Sequence, residues 1–573
     1  MPRRASLLSR IKFSAFIIFL FSSEASVVKA HDRPSGTVQK TRSAVVARHG
    51  MAATSQPLAT AAAIRMLQDG GNAIDAAIAA NAVLGVVEPM SCGLGGDLFA
   101  IVWDAKTKTL YGLNASGRAP YAATLDLYAS KGLKEIPTNG PLSWSVPGCV
   151  DGWDQLRRRF GTKGWPDLLA PAIQYAEGGF PVSEIIASDW QSAARSLAQV
   201  PTAAALFLPG GKSPEVGDVF RNQDLARSLQ TIARDGRDAF YQGTLTDTIL
   251  AYSAQVDGLF ARNDFSDHTS TWVQPVSTTY RGYEVWELPP NGQGIATLQM
   301  LNLLEPYNLK SMGANSTESL HLMIEAKKLA YEDRAKFYTD PEFANVPVAS
   351  LISKEYAATR APLIQRDHAN ERPIPGEPAG ADTIYLTVVD KDFNAVSLIQ
   401  SNFVGFGSKH VPGNLGFPLQ NRGCLFALDP KHANRLAPHK RPFHTIIPGF
   451  VTKQGQPWLS FGVMGGDMQA QGHAQVLSNM IDHGMDVQDA GDAPRFRHFG
   501  SSEPTGTPAQ EGGSVAFESE ISPEIRRALE AKGHRIVESP GGFGGYQAIR
   551  IDVDRGVLIG GSDPRKDGGA SGY

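Results

Sequence analysis

The chain has 573 residues, 42% of them apolar, and a formal net charge of −3. This exceeds one ordinary core of about 100–200 residues, so two domains or one large layered domain are expected. The balanced charge indicates neither nucleic acid nor a membrane surface as partner. Three cysteines, Cys92, Cys149 and Cys424, argue against a disulfide framework.

The N-terminus carries Arg3, Arg4, Arg10 and Lys12 ahead of an apolar run from Phe13 to Phe21, and small residues lead to Ala30. That is the layout of a signal peptide over residues 1–30. The apolar run falls short of the ~20 residues a spanning helix needs. The expectation is a periplasmic or secreted protein with no membrane association after signal cleavage; an uncleaved anchor is the alternative.

From Ser55, Leu58, Ala62, Met66 and Leu67 recur at helical spacing until Gly70-Gly71. An Ala-rich helix is expected from about Ala73 to Val86, its small side chains suited to close packing on a sheet. Gly93-Leu94-Gly95-Gly96 follows a helix and feeds the strand-like Leu98–Trp103. A phosphate-binding loop has the opposite order, strand first and helix after, so a tight turn into a core strand is expected. The middle, about 120–270, reads as mostly helical. The loop Pro289–Gly294 leads to an apolar helix over Ile295–Leu304. Another helix is expected over about 317–338, with Asn315 as its cap and Glu318 three residues on. Residues from about 354 to 380, rich in Pro, Arg and Gly, read as an exposed linker.

The linker ends at Gly380-Ala381-Asp382-Thr383. Cleavage before Thr383 would give an N-terminal threonine, joining a hydroxyl nucleophile to an α-amine base of reference pKa about 8. Thr383–Val389 alternates with bulk on both faces, so a strand buried on both sides is expected. Asp390–Asn394 reads as a hairpin turn and Ala395–Gln400 as the returning strand, which brings Ser401 beside Thr383. Loose strand–helix alternation favours stacked layers over a doubly wound sheet. No Cys/His cluster has metal-ligand spacing, and no metal or cofactor is expected.

Several landmarks now stand in order: GGNAIDAAIAANAVLGVVEP (70–89), CGLGGDLF (92–99), ELPPNGQGIATLQMLNLLE (287–305), HLMIEAKKLAYEDR (321–334), GADTIYLTVVDKDFNAVS (380–397), KRPFHTIIP (440–448), GVMGGDMQ (462–469), DAPRFRH (492–498) and GGSDPRKDGGASGY (560–573). Together they resemble the γ-glutamyltransferase (glutathione hydrolase) family of N-terminal nucleophile hydrolases, over nearly the whole mature length. The resemblance implies an α+β fold, a four-layer αββα sandwich built by two chains after self-cleavage between Asp382 and Thr383. The large subunit would be 31–382 and the small subunit 383–573. Thr383 would attack an amide carbonyl, and water or an amine acceptor would resolve the acyl-enzyme. Gly465 and Gly466 match the family's oxyanion-hole pair. Ser401 matches a second hydroxyl that orients the nucleophile.

The chain departs from the family at the acyl pocket. The position of the carboxylate-gripping arginine falls on Ser116, with Arg118 two residues on. The asparagine after the second hydroxyl falls on Phe403, with Asn402 adjacent. The acid that pairs with the substrate α-amine falls on Leu425, and a nearby polar ligand on Arg422. The two pocket serines fall on His444 and Thr445. Arg118, Asn402, Arg422, His444 and Thr445 are thus the expected substrate contacts. Three readings follow: hydrolysis or transfer of γ-glutamyl amides; hydrolysis of another amide bearing a carboxylate, as in oxamate amidohydrolases or cephalosporin acylases; or a non-catalytic relative.

Overall fold

The computed structural model describes residues 41–371 and 382–573. The expected signal peptide and the linker residues just before Asp382 lie outside the described residues.

Two seven-stranded antiparallel sheets lie at the centre. In order across the first run Gly569–Gly572, Gly50–Thr54, Asp382–Asp390, Ala395–Phe403, Asp97–Asp104, Thr109–Ala115 and Thr271–Val273. In order across the second run Val45–Ala47, Val557–Ser562, Gly545–Asp552, Gln456–Met464, Gly449–Lys453, Tyr283–Glu287 and Val276–Tyr280.

Three hydrophobic clusters define the layers. Between the sheets, Phe99, Ile101, Tyr385, Val389 and Ile399 of the first meet Phe450, Met464, Ile549 and Leu558 of the second. Outside the first sheet, Ile384, Leu386 and Val388 pack on helices Pro57–Gln68 and Ala73–Val87. Outside the second, Val451, Leu459 and Phe461 pack on helices Gly294–Leu304, Thr317–Phe337 and Met468–Ile481. The result is the αββα sandwich.

The Asp382–Asp390 strand shows why its sequence lacks a polar face. Ile384, Leu386 and Val388 enter the helix layer, while Tyr385 and Val389 enter the inter-sheet layer, and all five are fully buried. Thr387, on the inter-sheet face, is satisfied by Ser460 of the other sheet at 2.7 Å. A buried hydroxyl without such a partner would cost about 1–3 kcal/mol. By alternation Thr383 shares this inter-sheet face, at the strand's first turn of pleat.

The Ala-rich helix Ala73–Val87 buries Ala76, Ala77, Ala79 and Ala80 completely. Asn72 and Asp75 form a capping box at its start, and Asp390 Oδ2 accepts from Ala73 N at 3.1 Å. The hairpin after the strand is thereby tied to the helix beneath it. Asp390 Oδ1 also accepts from Asp392 N and Asn394 N, which closes the expected turn. The Gly93–Gly96 turn is sterically required: a Cβ on Gly95 would lie 2.0 Å from Pro418 O.

Two expectations change. Helix Thr317–Phe337 is capped by Ser316, whose Oγ accepts from Ser319 N at 3.1 Å. Asn315 lies one residue too early, in the left-handed region at φ 54°, a conformation asparagine tolerates. The expected linker is largely exposed over its described part but begins as a helix, Lys354–Arg360, capped by Ser353. Ile364 and Ala369 beyond it are buried, so its apolar residues hold it to the body.

Candidate active site

Thr383 is buried, with 2% of its surface exposed. Its Oγ donates to Ser401 Oγ at 3.3 Å and accepts from Gln469 Nε2 at 3.4 Å. Ser401 Oγ also accepts from Phe403 N at 2.8 Å. The pairing of the two strands slips here, between Asp382 and Ile384. Phe403 accordingly takes φ 80°, rare for an aromatic residue. The slip turns the last peptide of the returning strand so that its N–H meets Ser401.

Gly465 and Gly466 lie between strand Gln456–Met464 and helix Met468–Ile481, at φ 117° and 58°. Gly465 O accepts from Met468 N, and Gly466 O accepts from Gln469 N and Gln293 Nε2. With both carbonyls drawn toward helix and amide, the N–H of each following peptide faces the opposite way. Gly465 and Thr383 both line a cavity of about 1000 Å³. Its other walls include Val404, Phe517, Ile521, Phe543 and Lys566.

A second group lies on the far side of Phe403. The Arg422 guanidinium covers the Phe403 ring at 4.6 Å and donates through Nη1 to Thr445 Oγ at 2.9 Å. Arg422 is fully buried, yet Nε and Nη2 have no hydrogen-bond partner among the described residues. Burial draws its pKa down to about 9, against the opposing pull of Asp97. A buried charge with open donors is expensive unless something anionic meets it. Leu425, one turn on in the same short helix Arg422–Leu425, is also buried.

Asp97 opens the strand beside Ser401, in register with it. Its Oδ1 accepts from Gly117 N, Gly148 N and Gln420 Nε2, and its Oδ2 faces His444 Nε2 at 3.0 Å. Burial raises the Asp97 pKa to about 6, and Arg422 is the largest of the opposing effects. Burial first, and then the Arg422 charge, pushes His444 well below its usual range. The imidazole is therefore neutral and donates Nε2–H to Asp97. His444 thus enters the group as a neutral ring bonded to Asp97.

Arg118 and Asn402 are occupied elsewhere. Arg118 donates to Glu342 at 2.9 Å and to His439 O at 3.1 Å, with Asp340 at 3.6 Å; like the buried Arg422, His444 and Thr445, it does not line the cavity, and unlike Arg422 its donors are taken. Asn402 Nδ2 donates to Cys92 O at 3.0 Å and to Pro89 O at 3.4 Å, pinning the loop before the Gly93–Gly96 turn. Both expected substrate contacts are built into the framework. Adjacent positions on a strand face opposite ways, so Asn402 cannot replace a residue at 403.

Sequence reasoning missed Asp97, Gln293 and Gln469. Asp97 had a signal, a carboxylate opening an otherwise apolar strand; the two glutamines had none. Among the described residues one group, His321, Glu325 and His534, has metal-ligand proximity. It is already closed by its own bonds, His321 Nδ1 to His534 Nε2 at 2.8 Å and Glu325 to Lys328 at 2.8 Å.

The family model described as gamma-glutamyltranspeptidase matches residues 59–573. The chain belongs to this family. It is 39% identical to the glutathione hydrolase-like YwrD proenzyme of Bacillus subtilis, over 92% of this chain and 99% of that protein. It is 37% identical to the acylase ACY 1 proenzyme of Pseudomonas sp. strain SE83, over 91% and 92%. The crystal structure of cephalosporin acylase from Bacillus halodurans superposes with a TM-score of 0.86 at 41% identity, covering 95% of this chain and 98% of that one. No helix among the described residues is long and apolar enough to cross a membrane.

Proposed function

We propose that this chain is an exported proenzyme that cuts itself between Asp382 and Thr383 and then hydrolyses amides whose acyl group ends in a carboxylate and lacks an α-ammonium. Residues 1–30 are removed on export, leaving 31–382 as the large subunit and 383–573 as the small one. Thr383 Oγ attacks the amide carbonyl and its proton passes to the new α-amine. Ser401 holds the hydroxyl in line, and N–H groups of the Gly465–Gly466 turn meet the developing oxyanion. Such a donor is worth about 3–4 kcal/mol in the transition state. The amine leaves with the transferred proton, and water releases the acid by the same route.

Arg422 carries the substrate assignment. Two nitrogens of a buried guanidinium are open, Thr445 orients a third, and a carboxylate supplies the missing acceptors. Family membership alone does not choose a substrate. γ-Glutamyl hydrolysis or transfer, the family's named chemistry, stands second because Leu425 occupies the place expected for the ammonium's partner. An ammonium buried there unpaired is costly. Similarity to proteins named as acylases supports the first reading.

The test compares glutaryl, γ-glutamyl and butyryl anilides on the mature protein. The glutaryl compound is expected to have the highest kcat/KM, by about tenfold or more over γ-glutamyl. A preference for γ-glutamyl, with acceleration by an acceptor dipeptide, overturns the assignment.

A further inference from the structure

The loop Pro289–Gly294 was legible as a motif, but the proposed chemistry leaves it without a task. Its last polar residue, Gln293, is fully buried. The Gln293 amide donates twice, to Gly466 O at 2.9 Å and to Thr445 O at 2.6 Å. The first acceptor belongs to the glycine turn. The second belongs to the residue whose hydroxyl orients Arg422. One planar amide therefore spans the two halves of the site. The backbone on either side runs in step: His444 N donates to Asn291 O at 2.9 Å, and Gly292 bridges His444.

Gln293 is itself held. Its Oε1 accepts from Arg334 Nη1 at 2.8 Å. The same Arg334 nitrogen pairs with Asp467, the residue after the glycine turn, and Nη2 pairs with Glu503 at 3.2 Å. Arg334 lies over the Tyr331 ring at 4.0 Å, and the Tyr331 hydroxyl donates to Asp467 O. Arg334 is completely buried, and its carboxylate partners keep its charge in place. The clamp is thus a rigid, charge-assisted frame, with the glycine turn gripped at Gly466 O and at both carboxyl and carbonyl of Asp467.

We propose that Gln293, locked by Arg334, is a positioning residue that sets the spacing between the Gly465–Gly466 turn and the Arg422–Thr445 pocket, and so sets the acyl-chain length the enzyme accepts. The inference rests on the carboxylate reading above. With the carboxylate held at Arg422 and the oxyanion at the turn, only a chain of fitting length reaches both. Among the described residues, the glutamine amide is the one side chain that bonds to both ends of that gauge.

The test uses mature enzyme and a series of ω-carboxyacyl anilides, from malonyl through succinyl and glutaryl to adipyl. Wild type is expected to show one sharp optimum. Gln293→Leu is expected to lose about 10–100-fold in kcat at that length with KM changed little, and to flatten the length profile, since a displacement near 1 Å is enough for such a loss. Gln293→Glu is nearly isosteric and keeps the test alive where the leucine variant does not mature. Ionised, it faces two carbonyls; protonated, it regains one donor. Its kcat is therefore expected to recover as pH falls, relative to wild type. A Gln293→Leu or Gln293→Glu enzyme with an unchanged length profile overturns the inference. So does a uniform loss at every length with no recovery at low pH. A wild type indifferent to the terminal carboxylate sinks the carboxylate reading itself, and the gauge with it.

Discussion

The two halves of this site are built from different materials. Around Thr383 most of the work falls to backbone: a slipped strand pair, a hydroxyl on the neighbouring strand, and two glycines at positive φ. Around Arg422 it falls to side chains: a guanidinium, a threonine, a neutral histidine and a buried carboxylate. Backbone geometry follows from the fold, so it changes only when the fold does. Side chains change one at a time. A family can therefore keep its nucleophile and turn while the acyl pocket is rewritten, and in the function proposed above Leu425 and Arg422 are where that rewriting shows.

The largest effect expected is on the first half. Thr383→Ala removes both the attacking hydroxyl and the proposed cleavage nucleophile. It should leave one uncut chain by denaturing intact-mass measurement, and activity reduced by about 10⁴-fold or more. In wild type the smaller piece should begin Thr-Ile-Tyr-Leu. Two chains from the alanine variant would remove Thr383 from the mechanism.

The second half should break more selectively. Arg422→Met keeps length and apolar contact with Phe403 but deletes the charge. It should reduce kcat/KM for glutaryl anilide by about 10²–10³-fold, in keeping with charge-assisted hydrogen bonds of about 1.5–3 kcal/mol each. The butyryl analogue should change little, and self-cleavage should proceed. Equal losses on both substrates would mean that Arg422 supports the site without touching the acyl group.

Legibility divided along the same line. Ser401 could be placed beside Thr383 from sequence because hairpin length and strand alternation fix who sits beside whom, whereas the glycine pair came only from the resemblance to the family. The layers were legible too, since Thr383–Val389 carries bulk on both faces and only a doubly covered strand does so. For the proposed acyl pocket the resemblance named Arg422, His444 and Thr445 but also Arg118 and Asn402, and the residues alone could not sort them, because they come from separate segments that meet only in three dimensions. Arg118 and Arg422 read alike as lone arginines; only the structure shows Glu342 and Asp340 beside one and open donors on the other. Gln293 and Gln469 stand within the quoted landmarks but carried no signal of a role, since a glutamine has no characteristic spacing and its partners meet it only in three dimensions. The cap at Ser316 was missed by one residue, within the usual uncertainty of helix ends.

The smallest effect expected is a pH dependence that separates the halves. Asp97 has a pKa raised to about 6 by burial, and its charge opposes an anion at Arg422. As pH falls from 7.5 to 5 Asp97 gains a proton, so the net positive field at Arg422 grows and KM for a carboxylate substrate should fall by a few-fold. In the same range the Thr383 α-amine, of reference pKa about 8, becomes more fully protonated, so kcat should fall. The two parameters should therefore decline together on acidification, one helping and one hindering. Asp97→Asn keeps an oxygen for Gly117 N, Gly148 N and Gln420 and removes the titrating charge, with its amide N–H facing a His444 ring that must turn to its other tautomer to accept it. It should flatten the KM profile at the low-pH value and leave the kcat profile as it was. A KM that still varies with pH in the asparagine variant would assign that titration to another group and detach Asp97 from the acyl pocket.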